Sequence, residues 1–350
     1  MNVKNRYDSL NGLRSLACVG IVVMHTQANL NLNLSDNVFT QNVIPFMGNF
    51  VLLFMVLSAF SLSCGYLDRF RSSAISLDSF YKKRYKRILP FFALLTVIDV
   101  IKCLVENHFS FSDSVIGELW EAFANLTLVF GLAPGNDISV VGVGWFLGVI
   151  FLFYMLFPFF SVLLENKRRA WIAFVVSIIW ALGMRNYFGP IKGALAGSTC
   201  MLVVAPYFLV GGITYLYTQH LKSLAEKKIP AVLSKVVIIL YTTIFFIYPE
   251  SRFLYSNLLL YTFWLIYAVM ESKSTRKWTL LNNKVMTFIS GISMEIYLAH
   301  MMIFRVVEKI HLERFIHNND ALYWSTLALV LLGAIILASC WKKIEKRYIR

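Results

Sequence analysis

Long apolar runs alternate with short polar segments along the whole chain. Runs of about twenty residues recur at roughly 9–29, 44–65, 88–107, 141–164, 171–187, 199–218, 232–249, 253–271, 285–308 and 322–341. A helix of about twenty residues is long enough to cross a hydrocarbon layer of about 30 Å. Lipid offers backbone amides no partner, so each run is predicted to be helical. Residues 118–132 are apolar too, but Glu118 and Glu121 interrupt a short segment. That segment is expected to be amphipathic or re-entrant, on the outer side. The predicted fold class is all-α: a polytopic membrane helix bundle of about ten transmembrane helices, in a single domain over residues 1–350.

The polar segments differ in charge, and the difference orients the bundle. Segment 30–43 contains no Lys or Arg, whereas 66–87 contains Arg69, Arg71, Lys82, Lys83, Arg84, Lys86 and Arg87. Segment 108–140 again has none. The next loop has Lys167, Arg168 and Arg169, and the one after it only Lys192. Later basic clusters are Lys222, Lys227, Lys228 and Lys235, then Lys273, Arg276, Lys277 and Lys284, then the tail from Lys342 to Arg350. Basic loops stay on the cytoplasmic side, so both termini are expected there. The formal net charge of +14 is then mostly a topology signal, and nucleic acid is not an expected partner. With 58% hydrophobic and 15% charged residues, a soluble globule is excluded. The five cysteines, at 18, 64, 103, 200 and 340, have no paired spacing, so neither a disulfide framework nor a metal site is expected. The first run has no small-residue cleavage site after it and reads as a retained span.

The first run, Leu10 to Thr26, carries two groups that a membrane helix avoids, Arg14 and His25. Eleven residues turn a helix by about 1100°, so both side chains share a face, separated by roughly 16 Å along the axis. Polar groups at such depth mark functional sites. Taken singly, each has a plainer role: Arg14 can snorkel to the headgroups and His25 can cap the far end.

Further along stands FYKKRYKRILP, residues 80–90. Pro90 suits the first turn of the third span, and Arg84 and Arg87 fall on one side if that helix begins early. Guanidinium groups at a helix N-terminus make a phosphate site, or else simply anchor the chain to lipid headgroups. In the ninth span, Ser293, Tyr297 and His300 share a helical face, while Glu295 points well away from His300. They either line a cavity or hold helices together. Trp145 and Tyr154 read as interfacial or packing residues. Glu118, Glu121 and Asp137 could form a polar outer mouth.

Six stretches, in order, resemble acyltransferase family 3, integral-membrane acyltransferases of cell-surface glycans. They are LNGLRSLACVGIVVMH, FMVLSAF, FYKKRYKRILP, VGWFLGVIFLFYMLFP, YFLVGGITYL and ISGISMEIYLAHMMI. The chain departs from the family pattern at Asn11, Ala59 and Ile150, where many members have Asp, Gly and Glu. The resemblance implies an O-acyltransferase in a bacterial inner or cytoplasmic membrane. It implies transfer of an acyl group, usually acetyl, from cytoplasmic acyl-CoA to a hydroxyl of a surface or exported polysaccharide or its lipid-linked precursor. CoA is then a donor substrate, with no bound cofactor. Arg14, Arg84 and Arg87 would hold its phosphates, and His25 would act as base or as acyl relay. Ser58, Trp145, Tyr154, Ser293, Tyr297 and His300 would line the cavity. Membrane lipid is a partner in any case. The competing reading is a transporter or flippase of an anionic or glycolipid substrate.

Overall fold

The computed structural model describes residues 7–110, 112–132, 142–188, 200–253, 255–272, 279 and 281–348. Lys192, Lys273, Arg276, Lys277 and Arg350 of the basic loops, and Asp137 of the expected outer mouth, lie outside the described residues. Among those described, the regular structure is helical throughout, without a strand.

In chain order the helices are α1 (Ser9–Leu30), α2 (Phe50–Arg71), α3 (Leu77–Glu106), α4 (Asp113–Thr127), α5 (Trp145–Leu164) and α6 (Lys167–Gly183). They continue with α7 (Met201–Leu216), α8 (Thr218–Glu226), α9 (Lys228–Ile247), α10 (Ser256–Glu271), α11 (Lys284–Gly291), α12 (Ser293–Glu308) and α13 (Asn319–Tyr348). A helix overlies each of the predicted runs. By length and apolarity, however, 6 helices among the described residues are able to cross a membrane, or up to 8 if the bent pairs α7–α8 and α11–α12 each make one span. Helices α1 and α10 fall outside that set for different reasons. Polar residues Asn11, Arg14, His25, Gln27 and Asn29 dilute α1, and α10 has only 16 residues.

The third helix corrects one expectation. It begins at Leu77, where Ser76 caps it by accepting from the Ser79 amide at 3.2 Å. Pro90 therefore sits inside α3 and not in its first turn. Arg84 and Arg87 belong to the helix interior, where amides are already bonded, so the helix-terminus part of a phosphate site does not apply to them. Segment 118–132 resolves mainly into α4, an amphipathic helix that buries Val115, Ala122 and Asn125 and exposes Trp120 and Phe123.

The chain forms two compact units, one of Met1–Cys64 with Val210–Lys342, the other of Gly65–Leu209 with Lys343–Arg350. In the first, α1 is packed against α10, α11 and α12 and is buried along Leu13, Ala17, Ile21 and Val22. Tyr323 of α13 donates to the Val23 carbonyl at 3.0 Å, and Tyr261 of α10 donates to the Asn49 carbonyl at 2.9 Å. Small residues let α7 approach α2. A Cβ added at Gly211 would lie 2.3 Å from the Val56 carbonyl oxygen and 3.0 Å from Ala59 Cβ. Close backbone approach of this kind is what membrane bundles use in place of a hydrophobic drive. Gly211→Ala should therefore lower the thermal midpoint in detergent, at a cost of about 1–3 kcal/mol typical of overpacking. A midpoint equal to wild type would show that α2 and α7 can separate without penalty.

In the second unit, α5 is the aromatic core. Phe153 stacks on Phe208 at 4.0 Å between ring centroids, and Phe157 stacks on Phe80 at 5.6 Å. Ile150, too, is buried in α5.

Candidate active site

Helix α1 presents a polar stripe to the α11–α12 pair. Ser290 donates to Asn11 Oδ1 at 3.1 Å, Ser15 donates to the Met286 carbonyl at 2.7 Å, and Cys18 reaches the Ser293 carbonyl at 3.3 Å. These residues recur every three, four or seven positions, so they stay on one face. His25 continues the stripe and meets His300: His25 Nδ1 lies 2.9 Å from His300 Nε2. The two rings are stacked, with centroids 5.1 Å apart and 19° between planes.

The break between α11 and α12 allows this match. The two helices bend by 70° at Ile292. A break frees backbone groups, which within a bundle have to find other partners. Here Ser293 Oγ donates to the Ser290 carbonyl, one of the last four of α11, at 3.0 Å, while Ser15 and Cys18 of α1 add bonds to the Met286 and Ser293 carbonyls. Ser293 therefore serves the break through its own hydroxyl. Tyr297 and His300 follow one and two turns later, both buried. His300 is only 1% exposed, and its Nδ1 lies 2.6 Å from the Tyr297 carbonyl oxygen. His25, by contrast, is half-buried.

Arg14 sits on the same helix, roughly 16 Å from His25 by the rise of three turns. It is half-buried and donates from Nη2 to Ser61 Oγ, which in turn donates to the Leu57 carbonyl at 2.6 Å. Ser58 was the expected serine of α2. It is half-buried one turn earlier, on the same side as Ser61.

The second unit holds the other expected residues. Arg84 of α3 lies among aromatic rings: its guanidinium carbon is 5.0 Å from the Tyr66 centroid, 5.7 Å from Tyr154 and 5.8 Å from Phe80. Its Nη2 donates to Tyr66 Oη at 2.7 Å, and its buried Nε finds no acceptor among the described residues. Ring faces hold the flat cation, and of its edge donors Nη2 is taken by Tyr66 while Nε is left over. Half-buried Arg87 follows three residues on, on the same side of α3. Tyr154 thus acts on Arg84. Trp145, the first residue of α5, is half-buried and packs edge-on to Phe146 at 6.2 Å. Of the acids expected at an outer mouth, Glu118 is half-buried. Burial pushes its carboxyl above the ordinary range, against the pull of Lys102.

Several partners were not evident in the sequence. The nearness of His300 to His25 is the main one; its only signal was that two membrane-depth imidazoles each need a polar neighbour. The others are Ser61, the Tyr66 ring, and the ion pair between buried Glu295 and Lys342, at 2.6 Å.

A family model, described as an acyltransferase domain, matches residues 7–341 and so includes all these positions but Lys342. The chain belongs to acyltransferase family 3. An uncharacterized protein of Haemophilus influenzae is 26% identical over 137 residues, 36% of this chain and 55% of that protein. The chain thus spans about half the length of this relative. No solved structure matches. Within this chain Arg14 and His25 lie on one continuous helix, α1, and His300 stands beside His25.

Proposed function

We propose that the protein is a membrane-bound O-acyltransferase that moves an acyl group, most often acetyl, from cytoplasmic acyl-CoA to a hydroxyl of a surface or exported polysaccharide or its lipid-linked precursor. The observation that carries this reading is the half-buried His25 on the same helix as Arg14 and against a second imidazole, in a chain of an acyltransferase family. An imidazole titrates near neutral pH and can take the proton of an alcohol. The freed oxygen then attacks the thioester carbonyl carbon. The tetrahedral intermediate collapses, the carbon–sulfur bond breaks, and the CoA thiolate takes the proton back from His25. The same nitrogen can instead attack the thioester carbonyl carbon: the carbon–sulfur bond breaks, CoA leaves as the thiolate, and the acyl-imidazole then passes its acyl group to the acceptor oxygen, whose proton goes to the thiolate.

Arg14, Arg84 and Arg87 would bind the CoA phosphates. The unsatisfied edge of Arg84 supports this, because a buried donor without an acceptor is costly and a phosphate oxygen would satisfy it. In this reading the chain is one domain with about ten spans and cytoplasmic termini, in the cell membrane, with polar α1 and short α10 among the spans.

The test uses the full chain purified in detergent. Acetyl-CoA should be consumed, and CoA should raise the thermal midpoint, by about 2.7 kcal/mol of stabilisation at a hundredfold excess over Kd. Arg84→Ala with Arg87→Ala should raise KM for acetyl-CoA roughly tenfold or more, in line with losing charge-assisted hydrogen bonds. If CoA neither stabilises the protein nor is consumed, the donor assignment fails and transport of an anionic or glycolipid substrate takes its place.

A further inference from the structure

The two imidazoles form one arm of a longer chain of hydrogen bonds, and its far end fixes the protons. A backbone carbonyl can only accept. The Tyr297 carbonyl oxygen lies 2.6 Å from His300 Nδ1, so that nitrogen carries hydrogen. In a neutral ring the other nitrogen then has a lone pair. His300 Nε2 must accept, and the atom 2.9 Å away that donates is His25 Nδ1. The remaining nitrogen of His25, Nε2, is left as the lone pair. A doubly protonated His300 would reverse the assignment, but it would be an imidazolium in an almost fully buried place. The buried carboxylate of the same helix, Glu295, lies on the opposite side and pairs with Lys342.

We propose that His300 is a positioning residue that holds His25 in the Nδ1–H tautomer, with the Tyr297 carbonyl as the final acceptor and His25 Nε2 as the reacting nitrogen. This rests on the reading of His25 as the group that takes the acceptor proton. Ring orientation is fixed by the same contact, since the rings are stacked with 19° between planes. The arrangement does what a carboxylate does beside a catalytic histidine, but without a negative charge. That suits a helix interface in which the nearby acid, Glu295, is already engaged by Lys342.

The experiment is nitrogen NMR of the full chain with labelled histidine in lipid nanodiscs, His25 being assigned by the signal missing from His25→Gln. Wild type should show Nδ1 protonated and Nε2 bare. In His300→Leu the acceptor is gone, and His25 should move to the Nε2–H form that free histidine favours. His300→Gln keeps an acceptor oxygen near the old Nε2, so it should keep the wild-type signature. Turnover should follow: kcat lower by about 10²-fold or more in His300→Leu with KM within twofold, and largely restored in His300→Gln. A wild-type His25 in the Nε2–H form, or no change of tautomer in His300→Leu, overturns the proposal. If His300→Leu does not fold, the wild-type and His300→Gln spectra decide alone, because an Nε2–H signal in either overturns it. A change of tautomer with no change in turnover overturns the role of His25 in acyl transfer, and the positioning role with it.

Discussion

His25→Ala should reduce acetyl-CoA-dependent acyl transfer by a factor of about 10²–10⁴, the range that a well-placed general base contributes. The loss should appear in kcat. The donor phosphates would be held elsewhere, by Arg14, Arg84 and Arg87, so stabilisation by CoA should persist in the variant. Thermal stability should fall little. His25 is half-buried near the end of α1, and the packing of that helix rests on Leu13, Ala17, Ile21 and Val22, which are buried. The contact to His300 is lost, but α1 remains tied to α11 and α12 through Asn11, Ser15 and Cys18. Three measurements on one preparation separate chemistry from folding: turnover, the CoA-induced shift of the midpoint, and the midpoint itself. Transfer within tenfold of wild type would remove His25 from the reaction. Mass spectrometry of wild type incubated with acetyl-CoA and no acceptor then distinguishes the two routes. A gain of one acetyl group on the peptide containing His25 marks the acyl-imidazole, and its absence beside normal turnover marks direct transfer.

What the sequence revealed of this site follows from the range of each signal. Arg14 and His25 were legible as a pair because helical periodicity acts within one element, and α1 is continuous from Ser9 to Leu30. The alignment of Ser293, Tyr297 and His300 was legible for the same reason. The pairing of His25 with His300 was not, because the residues are 275 positions apart and periodicity says nothing of which helices adjoin. The break at Ile292 was hidden too. Hydropathy runs unchanged across it, and only the Gly291–Ile292–Ser293 sequence punctuates it.

At α3 the misplacement had a different cause. An apolar run marks what lipid can hold, whereas a helix starts where its first amides are capped. Ser76 does that about three turns before the basic stretch ends at Arg87. Proline was then taken for a first-turn residue when it lies in mid-helix. Arg84 was recognised as a cation at an interface, yet its restraint by Tyr66 and Tyr154 required tertiary structure.

Lys342→Met should be the most destabilising of the single changes considered. Glu295 is 1% exposed, and Lys342 Nζ lies 2.6 Å from its Oε1. The pair joins α12 near its start to α13 near its end. Removing one partner of a buried pair leaves a carboxylate without the cation it was buried with, at a cost of roughly 3–5 kcal/mol. Replacing both partners by apolar side chains carries no such penalty and is often close to neutral. The double variant Glu295→Leu with Lys342→Met should therefore be more stable than Lys342→Met alone, which distinguishes a buried charge from simple loss of packing. Activity supplies an independent reading. Glu295 stands five residues before His300 on α12, so movement of that helix against α13 also moves His300 relative to His25. Lys342→Met should then lose turnover even at temperatures where it is folded, and the double variant should regain part of it. Midpoints of thermal unfolding in one detergent, with turnover assayed well below the lowest midpoint, test both claims. If Lys342→Met unfolds at the wild-type temperature, the ion pair contributes nothing to the bundle. If the double variant is no better than the single, the loss comes from packing around the two long side chains.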